Sequence, residues 1–161
     1  MIFDLLTFTL IHVILSVVGI IAGLVMVGGF ISGTRLNGWT GIYFVTTILT
    51  NVTGFGFPFA NILPSHIVGG ISLVVLAVAL AARYWKHLSG SWRTVFVVAS
   101  VAALYFNVFV LFAQLFVKVP AMIAIAPTQT APAFVITHVI VLVLFVILGR
   151  ASVRGFRTER R

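Results

Sequence analysis

The chain has 161 residues, of which 61% are hydrophobic and only 7% are charged. Soluble domains carry about 25% charged residues and could not bury this much apolar surface, so composition excludes that class. Ten lysines and arginines stand against two acids, Asp4 and Glu159, and the formal net charge is +8. Because the cations lie between apolar runs, they indicate the positive-inside bias of a membrane protein rather than nucleic-acid binding. The absence of cysteine excludes disulfides and thiolate chemistry.

Five apolar runs are long enough to cross a hydrocarbon core of about 30 Å, which takes about 20 helical residues. The runs are continuously apolar rather than alternating, which argues against a β-barrel. We therefore predict an all-α fold, a polytopic transmembrane helix bundle, with one domain over residues 1–150 and a basic tail over 151–161. The predicted spans cover residues of about 5–31, 39–57, 64–83, 92–117 and 132–149.

The second run leaves an alternative, because it ends in Gly54-Phe55-Gly56-Phe57-Pro58 and could be a re-entrant segment beside four spans. That alternative would put the tail and the loop from Arg83 to Arg93 on opposite faces of the membrane. The charge asymmetry would then be lost, so five spans is the preferred interpretation.

The distribution of cations predicts how the five-span bundle is oriented in the membrane. One side of the membrane receives nine of the ten lysines and arginines, and the other side receives only Lys118. Trp39, Trp85 and Trp92 fall at the same ends of the spans as the cations, where indole rings favour the headgroup level. We expect the N-terminus outside and the C-terminus in the cytoplasm.

Small and polar residues predict which helix faces meet, because helices in lipid associate through close packing and interhelical hydrogen bonds. Four spans carry such a face, and we expect all four to point inward. The faces are Ser16, Gly19 and Gly23; Thr47, Thr50, Asn51 and Gly54; His66, Gly70, Ala77 and Ala81; and Ser100, Ala103, Asn107 and Gln114.

Three histidines, His12, His66 and His138, fall in the outer half of the predicted bundle, whereas His87 lies in a cytoplasmic loop. An ionisable residue inside a span indicates a functional site by default. His12 and His138 are the candidate metal ligands, as axial ligands of a haem b or, with His66, of a metal ion. A quinone held by histidine and asparagine is the other candidate. The plain alternative is that each histidine is a hydrogen-bonded packing residue.

Further polar side chains would complete a polar cavity in the outer half of the bundle. The candidate cofactor-binding residues are His12, His66, His138, Asn51, Asn107 and Gln114. The leading hypothesis is therefore a membrane protein that binds a small ligand or cofactor, with haem or quinone favoured. The alternative is a non-catalytic scaffold or accessory subunit, which associates with itself or with another membrane protein through small-residue faces.

No span contains Asp or Glu, which disfavours a transporter that moves protons on buried carboxylates and a carboxylate-bound di-metal enzyme. No catalytic residue is assigned, and enzymatic activity stays open. The expected partners are the lipid bilayer and anionic lipid headgroups at the basic tail, with no nucleic acid.

The outer loop from Lys118 to Ala131 is unusually apolar. It predicts either a short interfacial helix over 121–126 that covers the polar cavity as a lid, or a partly buried connector.

Several motifs give the chain a likeness to known sequences. They are Trp39-Thr40-Gly41, Thr46-Thr47, Val52-Thr53-Gly54-Phe55-Gly56-Phe57-Pro58, Leu63-Pro64-Ser65-His66, Asn107-Val108-Phe109-Val110, Lys118-Val119-Pro120 and Ala126-Pro127-Thr128-Gln129. With them the chain resembles a family of small multi-pass bacterial inner-membrane proteins over most of its length. The resemblance implies a bacterial inner membrane and carries no activity or cofactor with it.

Overall fold

The computed structural model describes residues 4–57 and 64–156, and this part of the chain is helical throughout, with no strand. Four of the helices are long and apolar enough to cross a membrane, which identifies the chain as a membrane protein; α2 is not among these four. The helices are α1 (Leu5–Ser32), α2 (Asn37–Gly54), α3 (Pro64–Leu80), α4 (Trp92–Lys118), α5 (Pro120–Ile125) and α6 (Pro132–Phe156), and α3 continues into a π-helical turn, Ala81–Trp85.

Local signals in the sequence set the helix ends. Asp4 caps α1 by accepting a 2.7 Å hydrogen bond from the Thr7 amide, and Gly33 ends the helix in the left-handed conformation with φ of 75°. Proline opens α3, α5 and α6, where the missing amide costs nothing in the first turn. Of the two alternatives for the outer loop, the structure has the short helix: α5 runs from Pro120 to Ile125, one residue earlier than expected, and buries none of its residues. At the other end, α6 continues to Phe156, so the predicted tail begins as helix.

Helices α1 and α2 form an antiparallel hairpin along nearly their whole length. A Cβ atom at Gly29 would lie 3.0 Å from Leu36, and one at Gly23 would lie 2.9 Å from Tyr43. Further along, a Cβ at Gly19 would lie 3.0 Å from Thr47, and one at Gly56 would lie 2.8 Å from Phe8. Steps back along α1 are thus matched by steps of similar length forward along α2 and the turn after it, and glycines bring the two backbones together.

The aromatic core lies towards the end of the bundle where α1 finishes. The Phe30 ring meets Phe96 at 5.6 Å and Phe156 at 5.1 Å between centroids, which joins α1, α4 and α6. A Cβ at Gly155 would overlap the backbone of Phe30, so only glycine permits this approach of α6 to α1. We call this end of the bundle, which carries the loops around Arg35 and Arg83, the basic end.

The predicted inward faces hold for α1, α2 and α4, where Gly19, Gly23, Thr47, Ser100 and Asn107 are buried. The predicted inward face of α3 is wrong. Ala77 is exposed, and a Cβ at Gly70 would meet nothing within 4 Å. The residues that α3 and its π-turn bury are Gly69, Ser72, Leu76, Ala79 and Ala82. The hydrogen bond of 3.2 Å from Asn51 Nδ2 to Ser72 Oγ explains the rotation, because it turns Ser72 towards α2.

Candidate functional site

His12 lies half-buried between α1 and α2, at the end of the bundle opposite the basic end. Its Nδ1 is 2.8 Å from Thr53 Oγ1, and its ring meets the Phe57 ring edge-on at 5.1 Å. Phe57 in turn contacts Phe8 at 4.9 Å. Within residues 4–57 and 64–156, the hydrogen bond of the His12 ring is the one that Nδ1 makes with Thr53.

His138 lies on α6 and is buried against α4. Its Nδ1 is 2.8 Å from the carbonyl oxygen of Phe134, and its Nε2 is 3.4 Å from that of Phe109. The rings of the same two phenylalanines lie 4.1 Å and 4.5 Å from the imidazole. Both ring nitrogens thus face backbone carbonyl oxygens, and phenylalanine rings surround the imidazole, which is the environment of a packing histidine.

The structure does not join the predicted histidines into one cluster. Among the described residues, His12 and His138 share neither a hydrogen bond nor a ring contact, and they belong to different helix pairs. His66 lies beside the Phe55 ring at 5.7 Å. No group of three or more histidine or acidic side chains in this part of the chain could hold a metal ion.

The predicted asparagines lie deeper, in a polar layer that links helices. Asn107 on α4 accepts a 3.0 Å hydrogen bond from Ser16 on α1, and Asn51 joins α2 to Ser72 on α3. Asn107 Nδ2 and Thr47 Oγ1 are among the buried atoms that have no hydrogen-bond partner in the described chain. Gln114 is half-buried further along α4. This layer fits interhelical hydrogen bonding better than ligand binding, because its groups meet directly across helices.

Sequence reasoning did not find a polar cavity that lies at the basic end. It has a volume of about 280 Å³. We call it the basic-end cavity, and its lining includes no acidic residue among those that the structure describes. The lining residues are Phe30, Arg35, Leu36, Asn37, Thr40, Arg83, Tyr84, His87, Leu88 and Phe156.

Two arginines of the cavity are held by their surroundings. Arg83 Nη2 donates a 2.8 Å hydrogen bond to Asn37 Oδ1, and the guanidinium carbon lies 5.5 Å from the centroid of the Phe96 ring. Arg35 lies over the Phe156 ring at 5.5 Å. Such stacking fixes the direction of each guanidinium, and a guanidinium matches the planar, bidentate geometry of an oxyanion.

The wall that carries Arg83 has an unusual backbone. The π-turn Ala81–Trp85 widens the end of α3, and His87 and Leu88 follow with positive φ values of 49° and 55°. Non-glycine residues adopt this conformation infrequently, and π-turns often occur at functional sites. The Leu88 amide closes the turn by donating a 3.0 Å hydrogen bond to the Ala82 carbonyl oxygen. The turn folds His87 back towards the α1–α2 loop.

Comparison with known protein families, curated proteins and solved structures finds no match to this chain. The resemblance to small bacterial inner-membrane proteins therefore stays a prediction. The chemistry has to be inferred from the geometry of the chain itself.

Proposed function

We propose that this chain is a five-span protein of a bacterial inner membrane, with its N-terminus outside, that binds an anionic ligand in the basic-end cavity. One observation carries the proposal. Two stacked guanidiniums, an asparagine and a histidine line one cavity to which the described chain contributes no acidic side chain. Net positive charge in a walled site attracts anions, and guanidinium groups match the geometry of phosphate and carboxylate oxygens.

The fifth span is α2, and its pairing with α1 supports this. Its 18 residues extend about 27 Å at 1.5 Å per residue, which is close to the thickness of the hydrocarbon core. Thr40, Thr46, Thr50 and Thr53 each donate a hydrogen bond to the carbonyl four residues earlier, which lowers the cost of hydroxyl groups in lipid. Tyr43 and Thr47, which pack against glycines of α1, are completely buried.

The same hairpin supports the proposed orientation. Because α2 returns along α1, the Arg35 loop and the ends of α3 and α6 lie together, as the contacts of Arg83 with Asn37 and of Arg35 with Phe156 require. Arg150 and Arg154 lie near the end of α6. The positive-inside bias then assigns the basic end to the cytoplasm and Asp4 to the outside.

Purified protein in a neutral detergent provides the direct test, with inorganic phosphate as the probe and chloride at equal ionic strength as the reference. A ligand that binds only the folded state raises the melting temperature. We expect phosphate to raise it for the unmodified chain and not for Arg83→Gln. The matched control is Lys86→Gln, which removes one charge at the same end from a residue outside the cavity lining. Equal responses of all three proteins would contradict the proposal.

A second candidate function follows from His12, whose Nδ1 is bound to Thr53 and whose ring meets Phe57, which in turn contacts Phe8. A planar ligand such as a quinone or haem could stack there and bond to the imidazole. An absorption spectrum and lipid extraction of protein from its native membrane test this. We expect His12→Ala to lose a bound quinone or Soret band and His138→Phe to keep it. Protein that carries neither component would remove this candidate and leave the scaffold alternative.

A further inference from the structure

A groove between α4 and α6 runs along the lipid-facing side of the bundle, apart from the basic-end cavity. It has a volume of about 550 Å³. Its walls are apolar over most of their length, and Ala102 on α4 and Gly149 on α6 contribute almost no side chain to them. A Cβ at Gly149 would come only as near as 3.7 Å to Val101, so small side chains and not a distorted backbone open the groove.

The groove has a charge at only one end. Arg150 and Arg154 lie four residues apart on α6 and are both exposed at the basic end of the groove. The described chain offers neither arginine an acidic partner, because its single acid, Asp4, caps the far end of α1. Towards the middle of the bundle the groove passes Phe145 and Tyr105, whose rings lie 5.8 Å apart.

These features match one kind of occupant. We propose that the α4–α6 groove binds an anionic phospholipid, with the phosphate on Arg150 and Arg154 and an acyl chain along the apolar walls. Along α6 the distance from Arg150 to Leu142 is about 12 Å, which accommodates the upper part of an acyl chain. Val98, Leu142 and Val146 are about half exposed, so the groove opens sideways to the hydrocarbon region. Two cations at headgroup level select an anionic lipid over a zwitterionic one.

Native mass spectrometry of the purified full chain tests the proposal, with phosphatidylglycerol and phosphatidylcholine of identical acyl chains added in equal amounts. We expect retention of phosphatidylglycerol to exceed that of phosphatidylcholine by about tenfold to thirtyfold, since each interfacial cation adds to the attraction. The double variant Arg150→Gln with Arg154→Gln should retain both lipids nearly equally. The control, Arg83→Gln with Lys86→Gln, removes the same charge at the same end of the bundle and should keep the preference.

A groove-filling variant separates the acyl-chain contact from the charge. Ala102→Phe keeps every cation and should lower the retention of both lipids, and its circular dichroism spectrum and elution volume verify that it is folded. Equal retention of the two lipids by the unmodified chain would overturn the proposal. So would equal loss of preference in both double variants, unchanged retention by Ala102→Phe, or a dimer that excludes lipid from the groove. None of these outcomes depends on phosphate binding in the basic-end cavity, which is measured with Arg83→Gln alone.

Discussion

Ser16 on α1 donates a hydrogen bond of 3.0 Å to Asn107 on α4, and this bond joins the first and fourth helices at the polar layer. The other side of the Asn107 amide, Nδ2, is buried without a partner in the described chain. Replacing both residues with apolar ones therefore removes an unsatisfied donor together with the bond.

The prediction is a positive coupling between the two positions. Ser16→Ala should cost more stability in the unmodified chain than in the Asn107→Leu background, by about 0.6 kcal/mol, the average for membrane hydrogen bonds. A double-mutant cycle of unfolding in detergent measures this difference. Strictly additive costs would mean that the two side chains do not interact.

Gly23 should tolerate a methyl group far less well than Gly28 does. A Cβ at Gly23 would lie 2.6 Å from Leu104 Cδ1 and 2.9 Å from Tyr43, whereas one at Gly28 would meet nothing within 4 Å. We expect Gly23→Ala to destabilise the bundle by about 1–3 kcal/mol, the usual cost of overpacking. Gly28→Ala, on the same helix, should be neutral or stabilising because alanine favours helix. Thermal unfolding of the two variants compares them, and equal melting temperatures would contradict the α1–α2 packing.

The topology can be read by chemical labelling because the chain has no cysteine of its own. In the five-span orientation, Ser89→Cys lies in the cytoplasm and Thr128→Cys lies outside. A membrane-impermeant maleimide added to intact spheroplasts should therefore label Thr128→Cys at once and Ser89→Cys only after permeabilisation. The reverse pattern would contradict this topology, since it requires either that α2 does not span or that the five-span bundle is inverted.

Asp4 gives the start of α1 a defined pH dependence. The hydrogen bond from the Thr7 amide holds the pKa of the Asp4 carboxyl below its usual range. A lowered folded-state pKa stabilises the cap fully above the unfolded value of about 3.9, and this contribution is lost as the pH falls through the folded pKa. Hydrogen exchange in the first turn of α1 should therefore speed up at acid pH relative to Asp4→Asn, whose amide does not titrate. Parallel pH profiles of the two proteins would show that the charge does not contribute.

The sequence predicts well what depends on composition and on chain-local signals. Apolar runs predict the long helices, Pro64 and Lys118 mark helix ends, and the loop after Val119 gives the short helix α5. What it does not predict is rotation about each helix axis. On α3, small residues occupy two faces, one with Gly70 and one with Gly69. Which of these faces points into the bundle depends on the hydrogen bond that Asn51 of α2 makes with α3.

The sequence does not predict the basic-end cavity either, because the cavity depends on how distant helices pack against one another. Arg35 and Arg83 indicate which side of the membrane a loop occupies, but their spacing in the sequence does not predict that the two guanidiniums line one cavity. That depends on Gly155, which lets α6 approach α1, and on the π-turn that shifts Arg83. His87 is exposed, and a turn of positive φ brings it into the lining of the cavity.

Asn37→Asp tests the anion-binding claim most directly, because it places a carboxylate where Asn37 Oδ1 already accepts a hydrogen bond from Arg83 over 2.8 Å. The new carboxylate would pair with the guanidinium and compete with an added anion for the cavity. Melting temperatures of Asn37→Asp and of the unmodified chain, each with and without inorganic phosphate, are the measurement. We predict that Asn37→Asp is at least as stable as the unmodified chain without phosphate and gains nothing from adding it. A variant that still gains as much stability from phosphate as the unmodified chain would show that the anion binds elsewhere.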